Sequence, residues 1–394
     1  MSGSASRRVV CHVTTAHPAF DTRIFRRECR SLARAGFEVY LVAPHDHEEV
    51  VDGVRLIPLP SPASRLVRRA VWPVLAARRA LATAADLYHF HDPELMPAMQ
   101  VLRELTHRPI VWDAHEVYGE TIAHFNQLGW RPASAAAARL FARYELWACR
   151  RSFAGVVTIT HRMAERYRGL RVPVAEVGNL VESDLLNGAD PIAASRATPP
   201  LLITTGLLSE DRGILLMVEA FAMVRRRAAC RLAFWGSFQN DRDRLRLEAL
   251  IRERGLENDA VIGGPFPRDM LLTQLLPTAQ AACALLVEAQ DYNMLGMPTR
   301  LTEYWAAGLP VITSRGSHAA HMTADTGAGL ITDNTPADLA RCFETLLADP
   351  AAAQAMGERG RRAVAERYNW NQAFANLLAL YREIFDAERT SAAA

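Results

Sequence analysis

A chain of 394 residues, half of them hydrophobic, is long enough for two domain-sized cores, and a formal net charge of +2 gives no overall bias toward nucleic acid. All 45 basic residues are arginine, which excludes a Schiff-base lysine for pyridoxal phosphate and a Walker lysine. The six cysteines are scattered without a C-x-x-C pair, no signal-peptide core opens the chain and no run of ~18 apolar residues occurs, so buried thiols and a cytoplasmic location are expected.

Val9 to Thr15 is apolar and β-branched and predicts the first strand; Thr22 to Ala35 has helical spacing up to Gly36, and Phe37 to Ala43 predicts the second strand. Between the first strand and its helix runs His17-Pro18-Ala19-Phe20-Asp21-Thr22-Arg23, where open α/β sheets place ligands. It contains no G-x-G-x-x-G, so a dinucleotide oxidoreductase is not indicated. The competing reading of this loop is structural, with Asp21 capping the helix and Arg23 in solvent. Val54 to Pro58 predicts a third strand. Arg65 to Ala82 then predicts a helix in which Arg65, Arg68, Arg69, Arg78 and Arg79 interleave with apolar positions, and Arg139 to Arg151 repeats the mixture. Such helices either lie on an anionic membrane or present a solvated arginine face over the core, so peripheral membrane contact, at the inner face of the membrane, is a candidate partner beside the second reading.

Asp86 to His91, Ile110 to Asp113, Gly155 to Ile159 and Val172 to Val177 complete the first set of strands, with a helix predicted over Glu94 to Leu105. His91-Asp92 and Asp113-Ala114-His115-Glu116 lie at strand ends. Their histidines and carboxylates follow strand termini rather than one helix face, so no metal site is expected. Gly178 to Pro200 is polar and rich in small residues and predicts a linker.

A second alternation follows. Leu201 to Gly206, Arg231 to Trp235, Val261 to Pro267, Ala281 to Val287, Pro310 to Thr313 and Gly327 to Thr332 predict strands, and Ile214 to Arg227, Pro298 to Gly308, Pro336 to Leu347, Ala351 to Tyr368 and Asn371 to Ala387 predict helices. Asp241-Arg242-Asp243 reads as a helix start rather than a metal motif. Within Pro298 to Gly308, Arg300 and Glu303 stand one turn apart. A carboxylate can accept from two ribose hydroxyls and a helix N-terminus offers N–H groups to phosphate, so this stretch asks for a nucleotide.

The stretch Tyr292 to Ser314 also resembles the nucleotide-sugar signature of the retaining glycosyltransferases with two Rossmann-like domains, the GT-B enzymes of family four. Pro298-Thr299-Arg300-Leu301-Thr302-Glu303-Tyr304 is similar to a run in their bacterial polysaccharide members, and Ala306, Ala307, Gly308, Pro310 and Val311 match the tail of the signature. HPAFDTRIF, HFHDPELMP and Asp113 to Glu116 resemble the first half of the same enzymes. Two positions depart from the pattern: Leu295 replaces a glutamate, and Leu207 replaces an arginine in the loop where Arg212 takes the lysine position.

The resemblance implies an α/β chain of GT-B type: two Rossmann-like parallel-sheet domains facing a cleft, residues 1–178 for the acceptor and 200–370 for the nucleotide-sugar, with the last helix, about 371–388, crossing back to the first. It implies His115, Arg212 and Arg300 as catalytic residues, and Gly206, Gly236, Pro298, Thr299 and Glu303 as donor contacts. The acceptor would be met by His17, Asp21, Arg23, His91, Asp92 and Glu116. The partners implied are a nucleotide-sugar donor and a saccharide, lipid-linked or small-molecule acceptor, with no cofactor, no metal and no nucleic acid. A sugar-nucleotide epimerase of the same two-domain architecture and a non-catalytic nucleotide-sugar-binding protein are the alternatives.

Overall fold

In the computed structural model the described residues are 7–60, 64, 70–119, 122, 130–182, 196–267, 270–287 and 299–393. The chain divides into two compact units, Met1–Gly178 with Ala373–Ala394, and Asn179–Gln372.

The first unit is built on eight strands: β1 Val9–Val13, β2 Glu38–Pro44, β3 Glu49–Val51, β4 Val54–Leu59, β5 Leu87–Phe90, β6 Ile110–Ala114, β7 Gly155–Thr158 and β8 Val174–Glu176, in the order β3-β4-β2-β1-β5-β6-β7-β8. All pairs are parallel except β3 with β4. Strands β5, β6 and β7 are buried at every position, as a sheet covered on both faces requires. The winding reverses at β1, which pairs with β2 on one side and β5 on the other, and this topology leaves a crevice outside the carboxyl ends of those strands. Phe90 stacks on Trp112 at 4.7 Å in the core over which the helices Trp72–Leu81, Met96–Thr106 and Arg131–Ser152 lie. From the long helix Trp370–Ala393, Leu377, Leu380, Tyr381, Ile384 and Phe385 are buried in this unit. Gly155 makes room for them, since a Cβ there would lie 2.9 Å from the Ile384 side chain.

The second unit carries six parallel strands: β9 Leu201–Leu208, β10 Arg231–Phe238, β11 Ala260–Gly263, β12 Ala281–Ala284, β13 Val311–Ser314 and β14 Gly329–Thr332, in the order β11-β10-β9-β12-β13-β14. Here the reversal is at β9. The helix Thr299–Ala306 rests on the helix Pro350–Glu366 through two glycines. A Cβ on Gly357 would fall 1.9 Å from the Gly308 carbonyl oxygen, and one on Gly360 would fall 2.6 Å from the Trp305 ring.

Several elements differ from the sequence reading. The antiparallel strand β3 was not expected, although its hairpin turn is Asp52-Gly53 with both residues at positive φ, the conformation that a two-residue turn of this hand demands. A helix His318–Thr326 is also unannounced: its small polar sequence lacks an apolar stripe, and Ser317 starts it by accepting a hydrogen bond from Ala320 N–H. The Asp241–Glu253 helix is capped by Asn240, not by an aspartate. Of the helix expected from Arg65, the segment Trp72–Leu81 is found, and residues 65–69 lie outside the described residues.

Candidate active site

Unit one gathers its polar residues at the carboxyl ends of β1, β5 and β6. Asp21 starts the following helical turn by accepting hydrogen bonds from the N–H groups of Arg23 and Ile24 at 2.8 and 2.9 Å. Its carbonyl takes the N–H of both Phe25 and Arg26 at 3.1 Å, so the turn is widened toward π-helical geometry through Thr22–Cys29. In this widened turn Arg23, Arg27 and Glu28 are all buried. The Arg23 guanidinium grips Asp113 with two parallel hydrogen bonds of 2.8 and 2.9 Å and donates a third to the Val177 carbonyl.

Behind that pair lies a chain of rings. His91 meets Asp113 through Nδ1 at 2.9 Å and His12 through Nε2 at 3.0 Å; Tyr381 Oη reaches His89 Nδ1 at 2.7 Å and His12 Nε2 at 3.4 Å. Burial pushes the His12 and His89 imidazoles well below their ordinary range and lowers His91 despite Asp113. Burial would also raise Asp113, but the Arg23 guanidinium and the neighbouring histidines hold it well below the usual carboxylate range. Glu28 goes the other way: burial lifts it well above, Arg23 notwithstanding, and the Asp113 charge adds to the rise. Burial thus opposes charge on the three histidines and on Glu28, whereas Asp113 keeps its charge against the Arg23 guanidinium.

In front of it stand the buried Asp92 and the more accessible His17 and His115. Asp92 is fixed by Thr14 Oγ1 and the N–H groups of Thr15 and Ala16, and its other oxygen lies 3.5 Å from His17 Nε2. His17 Nδ1 is 3.7 Å from Asp21, and the His17 ring meets His115 edge-on at 5.3 Å. His115 Nε2 is 3.2 Å from the Tyr118 hydroxyl and its Nδ1 is 3.8 Å from Asp113. Burial opposes a charge on His17, yet the hydrogen bond to Asp21 and the negative charges of Asp92, Asp21 and Glu116 raise its pKa.

The structure thus brings His17, Asp21, Arg23, His91, Asp92 and His115 together, with Glu116 exposed at the margin. It sorts them differently from the sequence reading. Arg23, His91 and Asp92, expected to touch an acceptor, are buried and committed to protein partners, so they support the residues that can be touched. His12, Glu28, His89, Tyr118 and Tyr381 belong to the site and were missed. The signal for His12, His89 and Glu28 was polarity at positions that should face a core. His12, Glu28, His89 and His91 each place one potential ligand atom within 4.8 Å of the others. Both ring nitrogens of His12 and His91 and Nδ1 of His89 are engaged within the network, whereas His89 Nε2 is buried without a hydrogen-bond partner, and Arg23 lies 3.2 Å from Glu28.

Unit two presents a different chemistry. Gly206 and Gly236 pair across β9 and β10, at φ +93° and +152°. A Cβ on Gly236 would fall 1.7 Å from the Gly206 carbonyl oxygen, so no side chain fits there, and at Gly206 the positive φ favours glycine although the space is open. Arg300, 7 % exposed, donates from Nη1 to Thr204 Oγ1 and the Thr205 carbonyl at 3.3 and 3.4 Å, and the Tyr304 hydroxyl accepts from Thr205 N–H at 2.7 Å. These contacts fasten the start of the Thr299–Ala306 helix beside Gly206, with Glu303, 8 % exposed, on the same turn. Thr299 is half-buried at the start of this helix. Arg212 is half-buried and closes a short turn before Gly213, which starts the Ile214–Arg225 helix at φ +75°. Leu207 is 40 % exposed where the family pattern has an arginine. Trp235, within β10, and Phe266, beyond the end of β11, meet edge-to-face at 5.4 Å. Pro298 and Leu295 lie outside the described residues.

Comparison with known proteins assigns both halves. Residues 22–183 match the model of Glycosyltransferase Family 4 and residues 190–363 that of Glycosyl transferases group 1. The chain is 27 % identical over 249 residues to an alpha-D-kanosaminyltransferase of Streptomyces kanamyceticus, covering 59 % of this chain and 61 % of that protein. It is 28 % identical over 138 residues to an MMP alpha-(1->4)-mannosyltransferase of Mycolicibacterium hassiacum, covering 34 % of this chain and 32 % of that protein. The matches therefore span less than two thirds of these relatives. Among solved structures, sucrose-phosphate synthase from Thermosynechococcus elongatus superposes with a TM-score of 0.75 at 19 % identity, over 97 % of this chain and all of the other. Anabaena Alr3699/HepE in complex with UDP and glucose gives 0.72 at 12 % identity, over 96 % of this chain and all of the other. At these identities the likeness is one of fold.

Proposed function

The chain is a member of the family-four glycosyltransferases of GT-B type, and from that premise we propose that it moves a sugar, with retention of anomeric configuration, from a nucleoside-diphosphate sugar to a hydroxyl of a saccharide, lipid-linked or small-molecule acceptor. The observation that carries the reading is the strand-end pair Gly206 and Gly236 beside Arg300 and Glu303. Bare backbone admits a diphosphate at close range, a guanidinium anchored at the end of β9 favours the charge that develops on it, and a carboxylate one turn further suits a ribose diol. HepE, a fold neighbour, is described with UDP, which agrees with this assignment.

In the reaction proposed, the bond between the anomeric carbon and the phosphate oxygen breaks with its electron pair passing to the diphosphate. The acceptor oxygen bonds to the same face of that carbon, and its proton goes to the departing phosphate oxygen. Arg300 and Arg212 stabilise the departing negative charge. Gly206, Gly236 and Thr299 line the donor, and His115 hydrogen-bonds the transferred sugar. His17, Asp21 and Glu116 meet the acceptor, oriented by the buried Arg23, His91 and Asp92. No metal or cofactor is required by this scheme.

The test is substitution with product analysis. Glu303→Gln should weaken donor binding roughly 10- to 100-fold, the worth of a charged hydrogen bond, whereas Arg300→Met should lower turnover about 100- to 1,000-fold with less change in donor affinity. Wild-type transfer by the Arg300 variant would remove the diphosphate role. Release of an isomerised free sugar without acceptor would favour an epimerase, and donor binding without any turnover would favour a non-catalytic binder, a reading to which the exposed Leu207 lends its one specific observation.

A further inference from the structure

Three neighbouring helices of unit one expose apolar side chains that their own packing does not explain. In Trp72–Leu81 the buried positions are Trp72, Pro73, Ala76 and Ala80, and Val71 at its cap, Val74, Arg78 and Leu81 recur at helical spacing on the opposite side. The adjoining Met96–Thr106 helix buries Met96, Met99 and Leu102 and shows Val101 and Leu105 to solvent at 59 and 65 %. Between these two helices runs an almost wholly apolar groove of about 300 Å³, edged by Arg78. The next helix, Arg131–Ser152, touches the second through Tyr144 and Gln100 and exposes Leu140 and Trp147, the latter at 55 %.

The charge on the same helices is one-sided. Together they carry eight arginines against two carboxylates, Glu104 and Glu145. Glu145 is turned inward, accepting from Trp112 Nε1 and the Tyr167 hydroxyl, so Glu104 alone among the described carboxylates of these helices faces water.

We propose that this face docks on an anionic lipid surface, its apolar side chains entering the headgroup boundary while the arginines meet lipid phosphates. An apolar ridge surrounded by arginine, with an exposed tryptophan, is the composition of interfacial membrane contacts. A protein partner or a second copy of this chain would need carboxylates to answer the same arginines, and the chain's own face offers one. Among the described residues no helix is long and apolar enough to cross a membrane. The inference goes beyond the transferase reading and does not depend on it.

Flotation of the full-length chain with vesicles tests it. Vesicles of phosphatidylcholine with one third phosphatidylglycerol should carry the chain, less so at high salt, and vesicles of phosphatidylcholine alone should carry far less. Replacing Arg78, Arg139 and Arg143 with Gln should reduce binding to the anionic vesicles about five-fold for each arginine removed. The combined Val74→Gln, Val101→Gln, Leu105→Gln variant should bind less to both vesicle types. All six positions are exposed, so the melting temperature should stay near that of the wild type, and loss of binding with an intact fold supports the proposal. No flotation of the wild type, or equal flotation by either triple variant, overturns it. So does a wild-type dimer that the apolar triple variant converts to a monomer, which would assign the face to a second copy.

Discussion

Arg23 and Glu28 lie a single widened turn apart in sequence and 3.2 Å from each other, and burial opposes the charge on both, yet their outcomes differ. The guanidinium keeps its charge because Asp113 is bonded to it twice, whereas Glu28 is driven toward its neutral form. Replacing Arg23 by Met would strand Asp113 as an unpaired buried charge, so Arg23→Met should cost about 3–5 kcal/mol in urea unfolding. The double variant with Asp113→Asn should recover part of the loss, because the stranded charge is then gone. His17 offers a pH signature. Its folded pKa is raised, so its contribution is complete below the unfolded value of 6.5 and fades as pH rises through the folded value. His17→Gln should therefore destabilise the protein more in mildly acidic than in alkaline buffer, and an equal loss at both would contradict the His17–Asp21–Asp92 pairing. Polar residues at strand ends made this site legible in HPAFDTR, HFHDP and DAHE. Which of them face inward was not legible, because the widened turn at Asp21 rotates Arg23 and Glu28 off the positions that regular helical spacing assigns.

At the scale of elements, most strands could be read from β-branched runs, since a sheet covered on both faces needs apolar residues at every position. The exceptions are instructive. β3 is short and half-exposed, and only its Asp52-Gly53 turn announces it. The seat of the Thr299–Ala306 helix depends on Gly357 and Gly360, whose spacing in an alanine-rich helix says nothing until the Gly308 carbonyl and the Trp305 ring are seen against them. Crowding and backbone conformation can be separated experimentally in unit two. Gly236→Ala forces a Cβ onto the Gly206 carbonyl and should cost about 1–3 kcal/mol or more. It should also weaken nucleoside-diphosphate binding, because the two strand ends must move apart. Gly255, at φ +65° with open space around it, is the control. Gly255→Ala should cost about 1 kcal/mol through the backbone alone and leave ligand binding intact.

For the molecule as a whole, the division of labour rests on where the last helix belongs. Leu377, Leu380, Tyr381, Ile384 and Phe385 are buried within the first unit, and Tyr381 also closes its histidine network. Each such side chain is worth about 1.5–3 kcal/mol on burial. Five together, about 7.5–15 kcal/mol, match the roughly 5–15 kcal/mol that holds a whole domain folded. A chain ending at Gln372 should consequently lose unit one while keeping every strand of unit two. Hydrogen exchange would show this as loss of protection across β1 to β8 with retention across β9 to β14. The same truncated chain separates the donor assignment from the rest of the enzyme. If unit two alone holds the nucleotide, a nucleoside diphosphate at ~100 times its dissociation constant should still stabilise it by about 2.7 kcal/mol, although transfer to any acceptor has ceased. Retained protection of β9 to β14 with no ligand-induced stabilisation would mean that Gly206, Gly236, Arg300 and Glu303 do not suffice for donor binding, because the strands that carry them would be intact and the site nonetheless silent.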